Sequence, residues 1–163
     1  MKARYEIGGV AKTLTFDFAS GATSRNGFSL SLMEKVFQLV LAESGASANV
    51  YTNRPKSLAT NVNNFIVSSM QGSLEDMATY GECTMNIALF AKDAAGFKNG
   101  NKLSAMQDAL FAGLPFAVSV TDNSDVLKEE YLIDQTPDIV GDAPDDFGFH
   151  CRMILFRVTI KVI

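Results

Sequence analysis

"CRMILFRVTIKVI", residues 151–163, decides how this chain is built. Apolar side chains fall at Ile154, Phe156, Val158, Ile160 and Val162, every second position. Successive side chains of a strand point to opposite faces, so this spacing predicts a long terminal β-strand with one buried face. Working back, "YGECTMNIALFAKD", residues 80–93, repeats the alternation: Cys83, Met85, Ile87 and Leu89 are apolar, with Glu82, Thr84 and Asn86 between them. This is a second half-buried strand.

Further from these two runs the period changes. From Phe28 to Ser44, apolar residues at Leu30, Met33, Phe37, Val40 and Leu41 mark one face of a helix. Ser31 and Glu34 stand three apart as a capping box, and Gly45 supplies the stop. A second helix is predicted over 101–113, where Leu103, Met106, Leu110 and Phe111 form a stripe ahead of Gly113 and Pro115. At the start, "RYEIGGVAKTLTFDF" places two β-branched and aromatic runs around Gly8-Gly9, predicting a hairpin with strands over 3–7 and 10–18. "NNFIVSSMQG" and "PFAVSV" read as short strands, "SGATSRNG" and "DAAGFKNGN" as loops, and Arg54-Pro55 turns an extended chain. The expected fold is α+β: a mostly antiparallel sheet with two main helices packed on it, plus an N-terminal β-hairpin within residues 1–20. At 163 residues the chain reads as a single domain, 1–163.

Composition narrows the function classes. With 47% hydrophobic and 20% charged residues the chain is an ordinary globular protein. Net charge is −4 and the pI about 4.9, so no global cationic field exists to hold phosphates, and no specific nucleic-acid binding is expected. The most apolar helical stretch, "FSLSLMEKVFQLVLA", is too short for a span and is broken by Glu34 and Lys35, which predicts no membrane helix. "MKARYEIGGV" has no apolar run after its early cations, so folding in the cytosol is the expectation. Cys83 and Cys151 lack zinc or redox spacing and read as buried free thiols.

Residues 122–146 hold seven Asp and two Glu against one Lys, a net charge of −8, so the remainder of the chain sums to +4. The stretch reads as an acidic loop region over 121–147. It runs into "GDAPDDFGFHCRM", residues 141–153, where three aspartates meet the chain's one histidine. His150 and Cys151 look like a base and its nucleophile. In a regular strand, however, neighbours face opposite sides, so the pair reads as a strand-end histidine and a packed cysteine. Asp134, Asp138, Asp142, Asp145 and Asp146 lack the spacing of an EF-hand, and the segment is punctuated by Pro137 and Pro144. Neither phosphate-loop glycine spacing nor a nucleophile elbow occurs. No catalytic, cofactor-binding or metal-binding residue is therefore assigned, and no cofactor is expected.

From residue 28 onward, the order of pieces resembles the tail-terminator and head-tail joining (tail completion) proteins of long-tailed bacteriophages. The stretches that carry the likeness are "VYTNRPKSLATNVNNFIVSSM", "YGECTMNIALFAKD", "NGNKLSAMQDALFAGLP" and "DAPDDFGFHCRMILFRVTIKV". They correspond to an extended segment with an Arg-Pro turn, strands, a helix and a terminal strand that returns to the sheet. The resemblance implies a non-enzymatic virion component, assembled in the host cytoplasm. It would form a homo-oligomeric ring, usually a hexamer, at the end of the tail tube or at the head-tail junction. The early hairpin departs from the simplest version of that plan and is a strand available to a neighbour. Asp138, Asp142, Asp145, Asp146 and Arg54 are then candidate interface or channel-lining residues, the acidic stretch either repelling passing DNA or docking a basic neighbour.

Two readings from other classes stand beside it. One is a small metal-dependent hydrolase using Asp142, Asp145, Asp146 and His150 at the strand mouth. The other is a ligand-binding module with an apolar pocket, resting on seven Met and twelve Phe.

Overall fold

The computed structural model describes residues 1–19, 29–76, 80–145 and 147–162, with side chains left aside at 71–76 and 162. In chain order the elements are β1 (Lys2–Ile7), β2 (Val10–Thr15), α1 (Leu30–Glu43), β3 (Val50–Tyr51), β4 (Asn64–Asp76), β5 (Tyr80–Lys92), α2 (Gly100–Gly113), β6 (Ala117–Thr121), β7 (Leu127–Ile133), β8 (Asp138–Pro144) and β9 (Phe149–Val162). The fold is α+β, as the periodicities predict. One sheet runs β2-β1-β6-β7-β9-β5-β4-β3, with β8 also paired to β9; all pairings are antiparallel except β3 with β4.

The terminal strand is the spine of this sheet. β9 pairs with β5 along its whole length, from Tyr80↔Lys161 to Lys92↔Phe149. Its other edge is divided: β7 takes the C-terminal part, Ile133↔Val158 to Glu129↔Val162, and β8 takes the N-terminal part, Asp138↔Leu155 to Pro144↔His150. Alternation then sorts side chains. Ile154, Phe156, Val158 and Ile160 face the helices with Met85, Ile87 and Leu89 of β5, and all are buried. Upon that face lie α1, through Leu32, Met33, Val36, Phe37, Val40 and Leu41, and α2, through Leu103, Met106 and Leu110. Phe37 meets the Tyr131 ring at 5.5 Å. Leu30, expected on the buried stripe, is exposed, because Leu32 and Val36 complete the face instead.

A second, smaller core lies on the opposite face. Phe65 stacks on Phe90 at 4.4 Å and meets Phe149 edge-on at 5.3 Å; Cys151, Val67, Leu58 and Val62 pack around them. The segment between β3 and β4 covers this cluster.

Local chemistry accounts for the boundaries. Gly8 and Gly9 both have positive φ, 56° and 79°, as a two-residue turn between Ile7 and Val10 requires. α2 starts at Asn99, whose side chain accepts the Lys102 N–H at 3.2 Å. The capping box expected at Ser31 and Glu34 lies inside α1 instead. The N-cap is Ser29, with extended backbone and its hydroxyl accepting the Leu32 N–H. The expected short strand at 63–72 is the long β4, and the second hairpin strand ends at Thr15 rather than residue 18.

The acidic stretch over 121–147 is not a loop. It holds β7 and β8. In β7, Glu129 sits at an inward position with Tyr131 and Ile133, so a carboxylate interrupts the apolar alternation that would have marked the strand. β8 is an edge strand with mainly exposed side chains, and it carries no alternation to find.

Candidate functional site

The sequence-flagged residues gather at the end of the sheet where β8 turns into β9, and they divide between its two faces. The division starts from a β-bulge. Val140 pairs with Met153 and Ala143 with Cys151, so Gly141 and Asp142 together stand opposite Arg152. The extra residue re-aims Asp142 toward the helix face. There Arg152 donates from Nε and Nη2 to the two Asp142 oxygens at 2.6 and 2.9 Å, and from Nη1 to Gln107 of α2 at 3.0 Å. Lys98 stands 3.2 Å from the same carboxylate. The hydrogen bond from Arg152 holds the Asp142 carboxyl below its ordinary range. This two-point grip ties edge strand, spine and helix together.

On the same face His150 Nδ1 lies 2.6 Å from Asp93 Oδ1. Its neighbour Cys151 points the other way, into the small aromatic core, where burial pushes the thiol up to about 11. Cys83 is likewise pushed up to about 11 by burial, but on the helix-facing side of β5. Both thiols are free. The strand thus separates His150 from Cys151, as its alternation predicts.

Asp145 belongs to the opposite face. It ends the turn from β8, accepts the Phe147 N–H at 3.2 Å, and pairs through Oδ2 with Arg54 Nε at 2.9 Å. Two residues flagged separately in the sequence, Arg54 and Asp145, thereby meet across 91 positions. The Arg54 guanidinium also lies over four rings: Phe65 at 4.8 Å, Phe147 at 5.0 Å, Phe90 at 5.6 Å and Phe149 at 5.9 Å. Beside it opens a cavity of about 210 Å³, bounded by Arg54, Lys56, Leu58, Lys92, Phe147 and Phe149 among others. The sequence reading missed this aromatic cage because its rings come from three strands and a turn.

Of the other flagged carboxylates, Asp138 is exposed at the start of β8, and Asp146 lies outside the described residues. Asp142, Asp145 and His150 do not converge: each has its own partner, and Asp145 is on the far side of the sheet from the other two. Among the described residues no group of three or more His, Cys, Asp or Glu is arranged to hold a metal ion. The −8 stretch is also extensively compensated. Asp122 pairs with Lys128, Asp125 with Lys2 and Arg4, and Glu130 with Lys161, in addition to the pairs of Asp142 and Asp145. Most of these cations come from the +4 remainder of the chain. No helix among the described residues is long and apolar enough to cross a membrane.

The fold has a counterpart among solved structures. A chain known only by a sequence identifier superposes with a TM-score of 0.52 at 11% identity, over 84% of this chain and 99% of its own length. At that identity the likeness is one of fold and carries no activity with it. No family model matches the chain, and no curated protein matches its sequence.

Proposed function

We propose that this chain is a structural assembly protein of a phage tail or tail-like particle, acting as an oligomeric ring at the tail-tube end or the head-tail junction. The observation that carries this reading is the edge strand β8. It pairs with β9 on one side only among the described strands, and Ile139 and Val140 are 49% and 50% exposed on it. An unpaired strand edge with apolar side chains is a template for another chain. Where the contact is head-to-tail and the rotation closes, repeating it makes a ring. The element order supports the same reading: a helix, an Arg-Pro segment, a long hairpin, a second helix and a returning terminal strand. On this reading the chain acts in the virion after assembly in the host cytoplasm, without catalysis. Its partners are further copies of itself, a hexamer in the family it resembles, and the tail tube.

Light scattering on the purified chain, with electron microscopy of mixtures containing tail tubes, tests the reading. The expected result is a ring-sized species that caps tube ends, and loss of both in Ile139→Lys/Val140→Lys with the circular dichroism unchanged. A wild-type chain that stays monomeric at high concentration and leaves tube ends bare would overturn it.

A further inference from the structure

We infer that the cavity beside Arg54 is a binding site for a carboxylate carried on an apolar stem of side-chain size. This goes beyond the assembly reading and does not depend on it. The cavity, about 210 Å³, lies below the few hundred Å³ typical of sites for larger organic ligands, so its guest is of the size of one large side chain. Three cations line it, Arg54, Lys56 and Lys92. Arg54 engages Asp145 through Nε and the Pro55 carbonyl oxygen through Nη1, while Nη2 has no hydrogen-bond partner among the described residues. Lys56 and Lys92 are exposed, and neither has a carboxylate within ion-pair distance among the described residues. Among the described residues one carboxylate, Asp145, stands against these three cations, so the described part of the site carries a positive excess.

Beside the cations and the hydroxyl residues Ser57 and Thr60, the lining is apolar. Phe149 is buried, Leu58 half-buried, and Phe147 is 62% exposed, a large ring left facing solvent beside a cation. Cationic donors and apolar rings in one cavity fit a guest with an anionic head and an apolar stem. The guanidinium is already fixed by Asp145 and the rings, so binding orders little of the site. A carboxylate fits this set better than a nucleotide, whose base and sugar exceed the space. The same chemistry is offered by a free organic acid and by an acidic side chain of a polypeptide.

Amide chemical-shift mapping of the full chain separates these cases. The probes are phenylacetate, a capped pentapeptide with one glutamate between two leucines, phenylacetamide as the neutral counterpart of the first, and inorganic phosphate. The carboxylates are expected to move amides at 56–62, 92, 147 and 149, with phenylacetamide leaving them in place. Lys56→Gln/Lys92→Gln, two exposed changes, should weaken the effective probe roughly fivefold or more, the weight of partly exposed ion pairs. Tighter binding of the peptide assigns a polypeptide source, and tighter binding of phenylacetate a free acid. Silence from both carboxylates, equal shifts from the neutral amide, a stronger response to phosphate, or an unweakened double variant would each overturn the inference.

Discussion

Glu129 of β7 accepts the backbone N–H of Ser29 at 3.1 Å, while the Ser29 hydroxyl accepts the Leu32 N–H at 3.2 Å. These are the two halves of a capping box, but the carboxylate comes from one hundred positions away rather than from the helix itself. Glu129 also accepts the Tyr131 hydroxyl proton at 2.5 Å and is only 4% exposed. The start of α1 is therefore held by a buried side chain of the sheet.

That burial gives stability a defined pH dependence. Desolvation raises the Glu129 carboxyl above its ordinary range, in spite of its hydrogen bonds from Tyr131 and Ser29. A group raised on folding favours the folded state fully below its unfolded pKa, and that contribution disappears as pH rises through the folded value. Glu129→Gln can accept from Ser29 and donate to Tyr131. It should match the wild type in acid and exceed it near neutrality. Glu129→Ala leaves both partners unsatisfied and should cost about 2–4 kcal/mol in acid, and less near neutrality, where burial disfavours the wild-type carboxylate. Urea midpoints from about pH 4 to about pH 8 read both effects.

Asp142 titrates with the opposite sign. Its carboxyl is lowered, first by the hydrogen bond from Arg152, so its contribution is present above the ordinary carboxylate range and is lost as pH falls through the folded value. Asp142→Ala should destabilise by about 1.5–3 kcal/mol at neutral pH, because it strands a largely buried guanidinium between β9 and α2. The gap between variant and wild type should close in acid. A double-mutant cycle with Arg152→Ala measures the coupling; additive losses would contradict a shared interaction.

Two glycines that read alike as helix stops behave differently. A Cβ on Gly113 would stand 2.5 Å from the Ser44 carbonyl oxygen and 2.7 Å from Ser44 Cα, where α2 approaches the end of α1. Gly113→Ala should cost about 1–3 kcal/mol, outweighing the smaller helix-propensity gain of alanine. Gly45 has open space around it and a φ of 86°, so Gly45→Ala should cost about 1 kcal/mol, through backbone strain alone. Thermal melts of the two variants distinguish steric overlap from strain.

Cys83 and Cys151, both pushed up to about 11, should label very slowly with iodoacetamide near pH 8 in the folded chain and rapidly in urea. They face opposite sides of the sheet, so mild oxidation should form no intramolecular bridge.

Elements whose period reflects their own burial are legible from local spacing alone. The alternations in 80–93 and 151–163, the α1 stripe and Gly8-Gly9 each follow from solvation or backbone freedom within a few residues, and each predicts an element found close to its expected place. Tertiary structure alone decided the rest. Glu129 breaks the β7 alternation because its partners, Ser29 and Tyr131, exist around it only after folding. The bulge at Gly141-Asp142 depends on register against Arg152, and no local pattern encodes that register. The site near Arg54 has the same origin. Its guanidinium, Asp145 and four phenylalanines are scattered from residue 54 to residue 149, and the pairing of β4, β5 and β9 helps bring the rings and the carboxylate within 6 Å of the guanidinium. Spacing along a chain records which face a residue takes, whereas a binding site is set by which faces come to meet.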